Sequence, residues 1–106
     1  MENEQSWPIF VQDRGERQIY LTRERWDHAL DHPGMGEYLL DCALETLRKG
    51  SRKQDPYDPG KFKYIHECKD LPASYTDMVV VVKFGWQGSP SKPNNFVLTA
   101  YLVERW

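Results

Sequence analysis

The second half of the chain holds three apolar runs, FKYIHE (62–67), MVVVVKFGW (78–86) and FVLTAYLVE (96–104), set apart by links rich in Pro, Gly, Asn and Asp. Runs of β-branched and aromatic residues bounded by turn residues read as strands. Three of them in series predict an antiparallel meander. The link QGSPSKPNN (87–95) is long and turn-rich and reads as a mobile hairpin loop, while SRKQDPYDPGK (51–61) reads as a polar loop.

Upstream, WPIFVQ (7–12) and RQIYLT (17–22) flank the turn-like DRGE and predict a hairpin or two short edge strands. Thr22 then offers an N-cap side chain. Trp26, Ala29 and Leu30 follow at i, i+3 and i+4, which predicts a short helix ending where Pro33 and Gly34 break it. A second helix is expected over 36–49, with Leu39, Leu40, Ala43 and Leu47 as its apolar stripe, Arg48 and Lys49 in its last turn and Gly50 as its stop. The predicted order is β-β-α-α-β-β-β. The fold class this implies is α+β, with two N-terminal helices packed on one face of a twisted antiparallel β-sheet and the other face open.

A chain of 106 residues supports one core, so residues 1–106 read as a single domain. Its formal charge of −2 argues against a protein that coats nucleic acid, yet a local basic patch is compatible with it. No apolar run approaches the ~18 residues of a membrane span, and MENEQSW lacks the basic-then-apolar plan of a signal peptide. The expected location is therefore cytoplasmic, with no membrane partner. Cys42 and Cys68 show neither CxxC nor zinc-finger spacing and are expected as reduced thiols.

The candidate chemistry starts at RERWDHALDHPGM (23–35). On one helix, His28 and His32 share a face at i and i+4, Arg25 joins them at i−3, and Trp26 and Leu30 point elsewhere. Two imidazoles beside a fixed positive charge suit a phosphate. HxxxH spacing also occurs in zinc hydrolases, but there a Glu follows the first His, and here Ala29 does, so no metal or other cofactor is expected. Exposed histidines on a polar helix face with no specific task are a third reading.

In FVLTAYLV, alternation sends Phe96, Leu98, Ala100 and Leu102 to one face and Val97, Thr99, Tyr101 and Val103 to the other. Lys83 shares a face with Val79 and Val81. If that is also the Thr99 face, one surface carries Lys83, Thr99 and Tyr101, groups able to hold a phosphodiester oxygen or a developing charge. Lys61 and Lys63 flank Phe62 and Tyr64, an interleaving that can join backbone neutralisation to base stacking. Arg25, Lys61, Lys63 and Tyr64 are thus candidate RNA-binding residues. His28, His32, Lys83, Thr99 and Tyr101 are candidates for metal-free cleavage, in which a base takes the 2′-hydroxyl proton, an acid protonates the leaving 5′ oxygen and a cation steadies the phosphorane.

The series IYLTRERWDHALDHPGM, a helix, DP, KYI, MVVVVK and VLTAY, with W-x-H-x-x-x-H-P at its centre, resembles the phage-associated members of the barnase, EndoU, colicin and RelE group of nuclease domains, over about residues 18–103. The resemblance implies a RelE- or barnase-like α+β domain that cleaves tRNA or messenger RNA without a metal, as toxins and effectors do, and an antitoxin or immunity protein that silences it. It maps the helix histidines to His28 and His32, the sheet lysine to Lys83 and the final-strand pair to Thr99 and Tyr101. The chain departs from the pattern at Gly34, where the family has an acidic residue after the proline. That departure leaves a second reading open, a non-catalytic nucleic-acid- or protein-binding module on the same fold.

Overall fold

The computed structural model describes residues 6–105. In chain order its elements are β1 (Ile9–Gln12), β2 (Gln18–Leu21), α1 (Arg23–Ala29), a 3-10 turn (Glu37–Leu39), α2 (Leu40–Lys49), β3 (Ser51–Gln54), β4 (Lys61–Glu67), β5 (Asp77–Lys83), β6 (Trp86–Gln87), β7 (Lys92–Pro93) and β8 (Phe96–Val103). The valine run forms β5, shielded on both faces. Met78, Val80 and Val82 enter the main core, and Val79 and Val81 are buried on the opposite side. β4 and β8 flank β5 antiparallel, as the three runs predict.

The predicted pair of N-terminal helices on an antiparallel sheet is not what forms. The molecule is mostly sheet, a six-stranded mixed sheet of order β1-β2-β8-β5-β4-β3 with a separate two-stranded arm, β6 and β7. Its helices are short and follow a hairpin. Two causes separate expectation from outcome. Ser51–Gln54, part of the supposed polar loop, pairs with β4 as an edge strand, which needs no apolar face. The β1–β2 hairpin joins the sheet through β2, which runs parallel to β8 and meets it in one register pair, Tyr20 with Phe96. The supposed loop 87–95 in turn supplies β7 and the second residue of β6.

Thr22 caps α1 as expected, its hydroxyl accepting from the Arg25 amide at 3.2 Å. The helix ends at Ala29, earlier than the Pro33 break. α2 turns Ala43, Leu44, Thr46 and Leu47 inward and packs on β1, β4 and β5. Gly50 stops it for a reason other than left-handed backbone, since its φ is −69°. A Cβ there would lie 2.5 Å from the Thr46 carbonyl oxygen and 2.8 Å from that of Ile65, so the close passage of the helix end over β4 excludes a side chain. The sheet curls round α2 far enough to bring Asp13, just past β1, against Tyr64 of β4, with three strands between β1 and β4 in the sheet order.

The two cysteines are not free thiols. Cys42 of α2 and Cys68, at the end of β4, form a disulfide with a Cα–Cα distance of 6.3 Å. A bridge across a sequence separation of 26 restricts the unfolded chain, which by loop entropy stabilises a fold by about 2–4 kcal/mol. Reduction with a thiol is therefore expected to lower the urea midpoint by that equivalent, and a Cys42→Ala/Cys68→Ala chain should show the lower midpoint with or without reductant. A midpoint indifferent to reductant in the wild type would rule the bridge out as a stabilising element.

Candidate functional site

After its single pairing with Phe96, β2 gives way to α1, so the outer edge of β8 faces a helix and the turn that follows it. His32 lies in that turn, its amide donating to the Ala29 carbonyl at 3.1 Å. Its Nδ1 stands 3.0 Å from the carbonyl oxygen of Ala100. A carbonyl can only accept, so Nδ1 carries the proton and the neutral ring keeps its lone pair on Nε2. Thr99 Oγ1 is 3.4 Å from the same Nδ1, and the Tyr101 ring is 5.8 Å from the imidazole between centroids. The His28 ring stands edge-on to that of His32 at 6.3 Å. His28 is exposed and His32 half-buried. Four of the five candidate catalytic residues thus meet at one place, with His32 fixed by the strand edge it satisfies. Among the described residues no third donor joins the two histidines in a three-ligand metal group.

A bulge shapes this face. Val81 pairs with Thr99 and Val82 with Val97, so Leu98 is the extra residue on β8. Simple alternation along the strand is broken there. Val97, Ala100 and Leu102 enter the core, while Phe96, Thr99 and Tyr101 share the other face with Val79, Val81 and Lys83.

The remaining candidates lie apart. Lys83 is on the Thr99 face, but two residues further along β5, about 7 Å by strand rise, and its ammonium is bound to Asp58 at 2.6 Å. Lys83 holds the Asp58 carboxyl below the usual carboxylate range, helped by the Gly60 amide. Lys61 and Lys63 also stand on this face, opposite Lys83 and Val81. Arg25 forms no side-chain hydrogen bond or ion pair among the described residues. Tyr64 is closed to substrate: alternation turns it and Phe62 to the other face, where Tyr64 is 1% exposed.

Tyr64 belongs instead to a buried polar cluster. Its hydroxyl donates to Asp13 and accepts from Arg52 Nε at 2.9 Å. Burial pushes the phenol up, and the Asp13 carboxylate beside it adds to the rise, to about 12. The unfolded tyrosine ionises near 10 and the folded one near 12, so this contribution is whole below pH 10 and lost as pH climbs to 12. The alkaline limb of the stability curve, measured by urea unfolding between pH 9 and 12, is expected to flatten in Tyr64→Phe. An unchanged limb would show that Tyr64 does not set it.

Two features escape sequence reading. The aromatic neighbours of the lysines come from other strands: Phe10, Tyr20 and Phe96 align across β1, β2 and β8, with ring centroids 5.9 and 6.0 Å apart, and Phe96 pairs with Lys83. Only the register between strands shows this. The other is Gly34, whose φ of +80° is left-handed backbone that suits glycine, and a Cβ there would come within 2.8 Å of the Tyr75 ring. A side chain at this position would need left-handed backbone and a shift of the Tyr75 ring. Compared with protein-family models, curated proteins and solved structures, the chain finds no match.

Proposed function

We propose that the chain is a metal-independent endoribonuclease of the toxin type, acting at the edge of β8. The observation that supports it most is the anchoring of His32, whose Nδ1 meets Ala100 and Thr99 and whose Nε2 is left as a base, with the Tyr101 and His28 rings next to the imidazole. In the proposed reaction Nε2 of His32 takes the proton of a 2′-hydroxyl, and the 2′ oxygen bonds to phosphorus. The bond from phosphorus to the 5′ oxygen breaks, and protonated His28 supplies the proton that oxygen needs. The products are a 2′,3′-cyclic phosphate and a free 5′-hydroxyl. The Thr99 and Tyr101 hydroxyls donate to the phosphoryl oxygens, and Lys63 and Lys83 offer positive charge along the same face.

On this reading the substrate is a cytoplasmic tRNA or messenger RNA, and an antitoxin or immunity protein covers the lysine-bearing face in the producing cell. No helix among the described residues is long and apolar enough to cross a membrane. Thiol buffers in a cytoplasm oppose the Cys42–Cys68 bridge, so the reading also requires the reduced chain to fold.

The test is purified protein with total RNA in excess EDTA, with and without reductant. Cleavage that persists in chelator, leaves cyclic phosphate ends and spares a 2′-deoxy strand supports the proposal. Cleavage lost in EDTA would point to a metal site. Intact RNA from folded protein would favour the binding-module reading, which the missing acid at Gly34 and the Lys83–Asp58 pair also favour.

A further inference from the structure

The sheet face turned away from α2 carries a pattern that the proposed cleavage uses only in part, through Lys63 and Lys83. Across five strands one register row runs Phe10, Tyr20, Phe96, Lys83, Lys61. A second lysine pair stands alongside, Lys53 of β3 opposite Lys63 of β4. Like charges directly across a strand pair repel. Here two such pairs, Lys61 with Lys83 and Lys53 with Lys63, lie on neighbouring strands, and only Lys83 has an ion-pair partner among the described residues. Facing acids do occur on this sheet face, but at its far end, where Asp77 and Glu67 pair and Arg105 covers them.

The aromatic part is equally unusual for a surface. Phe10 is 56% exposed on an edge strand, and Tyr20 and Phe96 are half-buried beside it. Tyr20 is held in place, its hydroxyl donating to Asn94 Oδ1 at 2.8 Å and its amide to the Asn95 carbonyl. The central ring of the row is therefore set before any ligand arrives. A row of aromatic rings running into a lysine patch matches the two needs of an unpaired strand, stacking for the bases and cations for the phosphates. A duplex hides its bases and cannot use the rings.

We propose that this face is a binding site for single-stranded nucleic acid, with unpaired bases stacked on Phe10, Tyr20 and Phe96 and the backbone led across Lys83, Lys61, Lys63 and Lys53. The site shares its sheet face, and Lys63 and Lys83, with the groups proposed for cleavage, but binding on it requires no cleavage. A fluorescent ten-residue deoxythymidine strand tests it, because a strand without 2′-hydroxyls cannot be cut by 2′-oxygen attack. Failure of the nuclease reading therefore leaves this measurement intact.

Fluorescence anisotropy is expected to show binding that weakens five- to tenfold in Phe10→Ala and recovers in Phe10→Trp. Lys53→Glu/Lys63→Glu should weaken it further and flatten its salt dependence. A blunt duplex should bind at least tenfold less well. Equal affinity in wild type and Phe10→Ala, or a duplex bound as tightly as the strand, would overturn the proposal. So would sedimentation showing that these rings are covered by a second copy of the chain.

Discussion

Asp13→Ala is expected to cost about 3–5 kcal/mol of stability, because one buried acceptor shared by several donors is lost, at about 1–3 kcal/mol for each buried group left unsatisfied. The carboxylate is 1% exposed in its side chain and ties the β1–β2 turn to β4. Oδ1 accepts from the amides of Gly15 and Arg17, each at 2.9 Å. Oδ2 accepts from Arg17 Nε at 2.7 Å and from the Tyr64 hydroxyl, with Arg52 at 3.9 Å. Truncation leaves two backbone donors, a buried phenol and two guanidinium groups without this acceptor. For a domain of this size the melting temperature should fall by roughly 12 °C or more.

The same residue sets an acid limb. Burial alone would raise the carboxyl, but the hydrogen bonds from Tyr64 and from the Arg17 backbone and side chain outweigh it, and the net shift is downward. Its stabilisation is thus complete above about pH 4 and is lost as pH falls through the lower folded value. Asp13→Asn keeps the shape, removes the charge and should flatten this limb. Urea unfolding between pH 2 and 7 measures both effects, and a loss below 1 kcal/mol in Asp13→Ala would remove Asp13 from its central place.

On the proposed mechanism, His32→Ala is expected to reduce RNA cleavage by a factor of about 10² to 10⁴, the usual contribution of a positioned acid or base. It also leaves the Ala100 carbonyl without its donor, a structural loss of about 1 kcal/mol. The two roles separate in His32→Asn, whose side-chain amide can donate to Ala100 but cannot serve as a base at neutral pH. Stability should return in that variant and cleavage should not. Full cleavage by His32→Asn would reduce His32 to a strand-edge prop and move the chemistry elsewhere.

How far the sequence was legible depends on what each element is made of. β4, β5 and β8 follow from their own residues, because β-branched runs bounded by turns have few alternatives. The Thr22 cap and the α2 stripe are local too. β3 is not, since Ser51–Gln54 has no apolar face and is a strand only because β4 lies beside it. The single extra residue at Leu98 reverses which of Phe96 and Val97 is buried, and nothing in the composition of β8 marks it. Spacing brought His28 and His32 together correctly even though His32 lies beyond the end of α1. Tyr64 misled because interleaving along one strand alternates between two faces. The disulfide was invisible for a similar reason: a helix and a strand end 26 residues apart meet only once α2 has packed on β4.

The covering of β8 by α1 has a consequence for life outside the native state. Phe96–Val103 is eight residues long with no charge and no proline, the composition of a segment prone to cross-β stacking. In the native fold one of its sides pairs with β5, and along the other a helix takes the position a neighbouring strand would occupy. Trp26, fully buried, and the His32 imidazole hold that helix and its turn in place. Local opening of this short helix would bare a row of unpaired amides and carbonyls, a template onto which the same strand of another copy can add. The device that positions a histidine therefore also covers a strand edge open to pairing with another chain.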